Sequence, residues 1–99
     1  MVDLKQILIY LSANKDRFKR EYHLIRIGVF GSLSRGDQHN KSDVDLIVEF
    51  EEGTSDLFAI KQKLRAEIQT RFNIPVDICR EKYIKPIFKE LILSEVKYA

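Results

Sequence analysis

The sequence is short of cysteine, proline and glycine, and it has no long apolar run. The single cysteine, Cys79, excludes a disulfide framework and a cysteine-based zinc site, and it fits a reducing compartment. No stretch approaches the ~18 apolar residues of a membrane-spanning helix. The apolar segment Ile7 to Leu11 is too short for the core of a signal peptide followed by a cleavage site, so the expected location is the cytoplasm. A strong charge of one sign is also missing: 17 Lys and Arg stand against 15 Asp and Glu, a formal net charge of +2. A general nucleic-acid binder carries a large, clustered basic footprint, so no strong nucleic-acid binding is expected. The densest basic stretch, Lys15 to Arg20, contains Asp16 and reads as the solvated end of a helix. With 99 residues and no repeat, linker or low-complexity tract, the chain has room for one domain, residues 1–99.

The two prolines and four glycines fall where elements should begin or end. Asp3 caps a first helix, with Gln6 placed to reach back as its capping-box partner. Leu4, Ile7, Leu8 and Leu11 share one face of that helix, which should end between Lys15 and Glu21. Ile25, Ile27 and Val29 alternate, predicting a strand that ends at Gly31. A short turn or helix follows from Ser32, and Gly36 to Ser42 is a polar loop. Val44, Leu46, Val48 and Phe50 alternate as a second strand. Glu51 to Ser55 is a loop, with Ser55 or Asp56 capping a long helix marked by Leu57, Ile60, Leu64 and Ile68. Ile74, Val76 and Ile78 predict a third strand. Pro86 opens a last helix carrying Ile87, Phe88, Leu91 and Ile92. The expected fold is a small α/β (α+β) domain, with helices packed against one small mixed sheet.

The chemistry concentrates in the second and third strands. Side chains alternate faces along a strand, so Asp43 and Asp45 point the same way, their Cα atoms roughly 6–7 Å apart. The core-facing positions between and after them are apolar, so burial does not need the acids. Asp77 stands out of the third strand's apolar set in the same manner and joins the pair if the strands are neighbours. Three close carboxylates repel one another. A hard cation removes that conflict, and Mg²⁺ favours a few carboxylates, waters and substrate phosphates over an all-protein cage. Upstream, Gly31 lets the backbone approach a ligand, Ser32 adds a hydroxyl at a helix start suited to phosphate, and Arg35 can neutralise phosphate charge or pair with Asp43 or Asp45. Together these parts imply phosphoryl-group chemistry, with two metal ions clamping an in-line displacement. Asp77 is the candidate to accept the proton of an attacking hydroxyl. Asp37 reads as a turn residue, His39 as solvated, and His23 and Cys79 as structural. Tyr10, Tyr22, Tyr83 and Tyr98 are expected at core margins or a partner surface.

The segments Gly31-Ser32-Leu33-Ser34-Arg35-Gly36-Asp37 and Ser42-Asp43-Val44-Asp45-Leu46 together resemble the Gly-Ser … Asp-x-Asp signature of the DNA polymerase beta nucleotidyltransferase superfamily, in particular its minimal nucleotidyltransferases. Ile25 to Phe30 ahead of the motif and a closing helix near Val96-Lys97-Tyr98 extend the likeness over nearly the whole chain. Ser34 departs from the alanine that is commoner there. The resemblance implies a DNA polymerase beta-like nucleotidyltransferase core in which Gly31 and Ser32 contact nucleotide phosphates. It also implies that Asp43, Asp45 and Asp77 hold Mg²⁺. ATP as substrate, and a HEPN-domain toxin partner silenced by AMP transfer onto a tyrosine, are likewise implied by resemblance. Two other readings stay open: transfer to a small molecule or an RNA end, and a non-catalytic antitoxin that acts by occlusion.

Overall fold

The structure of the chain, a computed structural model, describes residues 2–35 and 43–99, and of Ser32 only the backbone. The polar loop expected over 36–42, with Asp37 and His39, lies outside the described residues. The elements run α1 (Leu4–Ala13), α2 (Lys15–Tyr22), β1 (Leu24–Phe30), α3 (Ser32–Arg35), β2 (Val44–Phe50), α4 (Leu57–Phe72) and β3 (Val76–Arg80). A 3₁₀ turn (Glu81–Tyr83), α5 (Pro86–Glu95) and β4 (Lys97–Tyr98) complete them. The sheet order is β3-β2-β1-β4. β2 and β3 are parallel and the other pairs antiparallel, so the sheet is mixed, as expected.

Local chemistry explains most element ends. Asp3 caps α1 with the full capping box: its side chain accepts from the Gln6 N–H at 2.8 Å and Gln6 Oε1 accepts from the Asp3 N–H at 3.1 Å. Such a cap contributes about 1 kcal/mol. The first helix does not run on to the Lys15–Glu21 region as expected. It stops at Asn14 and a second helix starts at once. Asn14 holds the corner by donating Nδ2–H to the Tyr10 carbonyl and accepting from Arg17 Nε and Nη2. Asn competes with helical backbone pairing in this way. β1 breaks strict alternation: a bulge between Leu24 and Arg26 buries Leu24 and turns Ile25 outward, 46% exposed. Ile74 falls outside β3, because Pro75 cannot donate to a ladder. The Pro75 carbonyl instead accepts the N–H of Val44. Asp56, not Ser55, precedes α4, in a left-handed conformation and without a side-chain cap. The closing helix ends at Glu95, and Lys97–Tyr98 pairs with β1 as a strand.

One face of the sheet forms the core. Leu24, Ile27, Val29, Val44, Leu46, Val48, Phe50, Val76 and Ile78 pack with Ile7, Leu11 and Phe18 of α1–α2 and with Leu64 and Ile68 of α4. Each such side chain contributes roughly 1.5–3 kcal/mol by burial. Leu33 enters the same core and pins α3 to it. The other face is not wholly polar as alternation implied. Ile47, between Asp45 and Glu49, is 1% exposed. Its register partner Gly28, inside β1 rather than at an element end as expected, leaves room for the chain leaving α5: a Cβ there would stand 2.6 Å from Val96 Cγ1. No helix among the described residues is long and apolar enough to cross a membrane.

Behind the core, Glu67 of α4 ties the helices together. It accepts from Tyr10 Oη at 2.6 Å, Tyr22 Oη at 2.8 Å and Arg17 Nη1 at 3.0 Å. Arg17 is therefore not merely solvated. The Arg17 hydrogen bonds, opposed by burial and helped by the two tyrosines, hold the Glu67 carboxyl down at about 2. Its stabilisation is complete above the ordinary carboxylate value of 4.5 and is lost as pH falls towards about 2. Glu67→Gln is expected to cost on the order of 2–3 kcal/mol near neutral pH, read as a lower urea midpoint. Because the wild type alone loses this contribution on acidification, the gap should close between about pH 5 and pH 2. A gap constant with pH would show that packing, not the carboxylate, sets the difference.

Candidate active site

Parallel pairing brings the acids together. Asp45 of β2 and Asp77 of β3 are direct register partners, and Val44 pairs with Val76 before them. Val44, Leu46, Val76 and Ile78 are all buried on the core face, so both acids point to the other one. Asp43 stands exposed immediately before β2, Asp45 is half-buried and Asp77 is exposed. Burial pushes the Asp45 carboxyl up, the charges of Asp77 and then Asp43 push it further, and Arg35 opposes them. The three acids read from the sequence therefore share one electrostatic site at the start of two adjacent strands.

Gly31 closes the site from β1. Its φ is +79°, a left-handed conformation that favours glycine, and an added Cβ would stand 2.3 Å from Asp45 Oδ2. The glycine thus serves close approach to the acid as well as the turn into α3. That helix is a single turn of four residues, with the Arg35 N–H on the Gly31 carbonyl at 3.2 Å. So short a helix has little macrodipole, and anion binding there would rest on individual backbone N–H groups. The sequence left Arg35 between phosphate contact and a pair with Asp43 or Asp45. In the structure its Nη1 is 3.1 Å from Glu95 Oε2 at the end of α5, and its charge also reaches Asp45. Ser34 Oγ donates to the Glu95 carbonyl, a bond the commoner alanine cannot make. Nothing in the sequence signalled this link, because it joins positions some sixty residues apart.

Cys79 follows Asp77 on the same face. Its thiol is pushed up first by burial and then by Asp45 and Asp77, with Lys61 of α4 opposing. Lys61 is a cation near this face that pattern reading did not single out. Further along, burial works against ionisation of Glu49, but hydrogen bonds from Arg80 and from the N–H groups of Phe50 and Lys82 hold its carboxyl below the usual range. Glu49 is thus held ionised against Arg80, whereas Asp45 is pushed the other way by its acidic neighbours. Among the described residues, no three His, Cys, Asp or Glu groups already stand arranged around a metal position. Two adjacent carboxylates with oxygen-only donors still suit Mg²⁺, which takes one or two carboxylates and completes its shell with water and substrate phosphate.

The family model of the nucleotidyltransferase domain matches residues 11–99. The chain belongs to the nucleotidyltransferase domain family. This nucleotidyltransferase is 34% identical over 98 residues to the protein adenylyltransferase MntA of Thermococcus cleftensis, a match that covers 99% of this chain and 97% of the relative. A solved structure described as a minimal nucleotidyltransferase superposes with a TM-score of 0.79 at 30% identity, covering 97% of this chain and 95% of the other. A toxin–antitoxin crystal structure with AMP-PNP shares the fold, with a TM-score of 0.66 at 20% identity, over 87% of this chain and 69% of the other. Nucleotidyltransferases of this kind use a nucleotide substrate and a divalent metal.

The contact of Gly31 with Asp45 predicts that Gly31→Ala lowers nucleotidyl transfer by about 100-fold, because the carboxylate must move on the order of 1 Å. Steady-state turnover measures it, and a change of less than threefold would show that the carboxylate is not held by this glycine. A second expectation concerns stability. The ionised form of Asp45 is penalised in the folded state, so the penalty is present above its folded pKa and relieved by protonation or by a neutral side chain. Asp45→Asn should therefore melt a few degrees above the wild type in chelator. Added Mg²⁺ should raise the wild type more than the variant, and equal melting in chelator would remove the repulsion argument.

Proposed function

We propose that the chain is an Mg²⁺-dependent protein adenylyltransferase. In this reading it transfers AMP from ATP to a tyrosine of a HEPN-type RNase toxin and so acts as the antitoxin. The observation that carries the reading is the register pairing of Asp45 with Asp77, against which Gly31 packs. The name of the Thermococcus cleftensis relative supports protein adenylyl transfer, and the toxin–antitoxin assembly with AMP-PNP supports both a toxin partner and an adenine nucleotide.

In this mechanism the Gly31–Ser32 turn and the Arg35 guanidinium hold the triphosphate. Asp43, Asp45 and Asp77 are the residues that would hold Mg²⁺. When bound, the ion neutralises phosphate charge and the leaving pyrophosphate. Asp77 lies at the exposed edge of the acid cluster and accepts the proton of the acceptor hydroxyl. The hydroxyl oxygen then bonds to the α-phosphorus as the bond from that phosphorus to the bridging oxygen of the β-phosphate breaks, and pyrophosphate leaves. Arg35, held by Glu95, stays over the phosphates through this exchange. Positioning and charge stabilisation carry the rate, as is general for phosphoryl transfer.

The test is intact mass of the HEPN-domain protein after incubation with this chain, ATP and Mg²⁺. Gain of whole AMP units with the wild type, and at least about 1,000-fold slower gain with Asp43→Asn/Asp45→Asn, is the expected result. A HEPN-domain protein that is silenced without any mass change would point to occlusion. AMP transfer to an RNA end or a small molecule, with the protein unchanged, would replace the acceptor in this reading.

A further inference from the structure

We propose that the outer face of α5 is the docking surface for the protein that brings the acceptor hydroxyl, an inference that rests on the protein-modifying reading above. α5 has no buried residue. Ile87, Phe88 and Leu91 are 81%, 51% and 61% exposed, and Tyr83 just before the helix is 68% exposed. Their i, i+1, i+4 spacing sets the three helical residues on one side. Large apolar side chains grouped in this way mark an interaction site, whereas single exposed ones such as Ile9 or Phe58 need no explanation.

The helix is not a loose end. It starts at Pro86, its last residue is bonded to α3, and β4 behind it pairs with β1. Its C-terminal end is anchored, yet the apolar side remains in water. Its occupant follows from charge and place. Lys82, Lys85 and Lys89 are exposed along the same segment, while Glu90 is its one exposed acid. A second copy docked by this face would bring two such lysine rows to one interface, and like charges brought together there oppose it. A protein with carboxylates beside an apolar patch complements it instead. The place is equally specific. Glu95 ends α5 and holds Arg35, whose charge reaches Asp45. A partner on α5 therefore stands beside the acid cluster, where an acceptor side chain has to arrive.

The experiment measures binding of the HEPN-domain protein to the full chain carrying Asp43→Asn/Asp45→Asn, so that affinity is read without turnover. Phe88→Ala/Leu91→Ala is expected to weaken binding at least ~30-fold. Lys85→Glu/Lys89→Glu is expected to slow association and flatten its salt dependence. Ile9→Ala/Phe58→Ala, exposed apolar residues elsewhere, serves as control and should change nothing. Circular dichroism and an unchanged urea midpoint establish that the variants are folded. Unchanged affinity of the α5 variants, or no binding of the HEPN-domain protein, overturns the proposal. So does a wild-type dimer that Phe88→Ala/Leu91→Ala dissolves, or co-sedimentation with phosphatidylserine vesicles through these residues. If binding depends on α5 but the partner never gains AMP, the docking surface stands and the transfer reading falls.

Discussion

The structure turns on one electrostatic constraint: two carboxylates held side by side by the parallel pairing of β2 and β3. Asp45 and Asp77 cannot drift apart, because the residues flanking them on both strands are locked into the core. The repulsion is thus built in by apolar packing on the opposite face, and it is the physical ground for the proposed Mg²⁺ site. Gly31 adds a third wall, fitted so closely that no side chain could replace its hydrogen without moving Asp45.

A site that opposes its own folding has to be supported elsewhere. Glu67, with Arg17, Tyr10 and Tyr22, concentrates favourable hydrogen bonds where α1, α2 and α4 meet, on the core side of the sheet. Arg80 and Glu49 do the same for the far end of β2 and β3, with both side chains 14% exposed. Asp45, by contrast, is pushed up by burial and by the charges of Asp77 and Asp43, with Arg35 opposing them.

The C-terminal segment links this chemistry to the outside. α5 has no fully buried residue, yet its last residue bonds α3 through both backbone and side chain, and Val96 covers Gly28 on the acid face. The same few residues thus shape the turn from Gly31 into α3 and end a helix whose apolar side is open.

The sequence by itself determined the alternating strands, the Asp3 cap, and the separation of Asp43, Asp45 and Asp77 from the apolar positions around them. It did so because helix and strand periods and capping are local properties. Gly31 was legible as a strand-end glycine that lets the backbone approach a ligand, though its close approach to Asp45 was not. Asn14, Ile25 and Lys97–Tyr98 misled pattern reading. A side-chain-held corner, a bulge and a two-residue strand each depend on partners outside any short window. Tertiary structure alone decided that β3 lies parallel to β2, with Asp77 opposite Asp45. It alone decided that Arg35 pairs with Glu95 and that the apolar side of α5 stays open. These are contacts between residues thirty to sixty positions apart, and only the folded chain, by burying one face of the sheet and not the other, chooses among them.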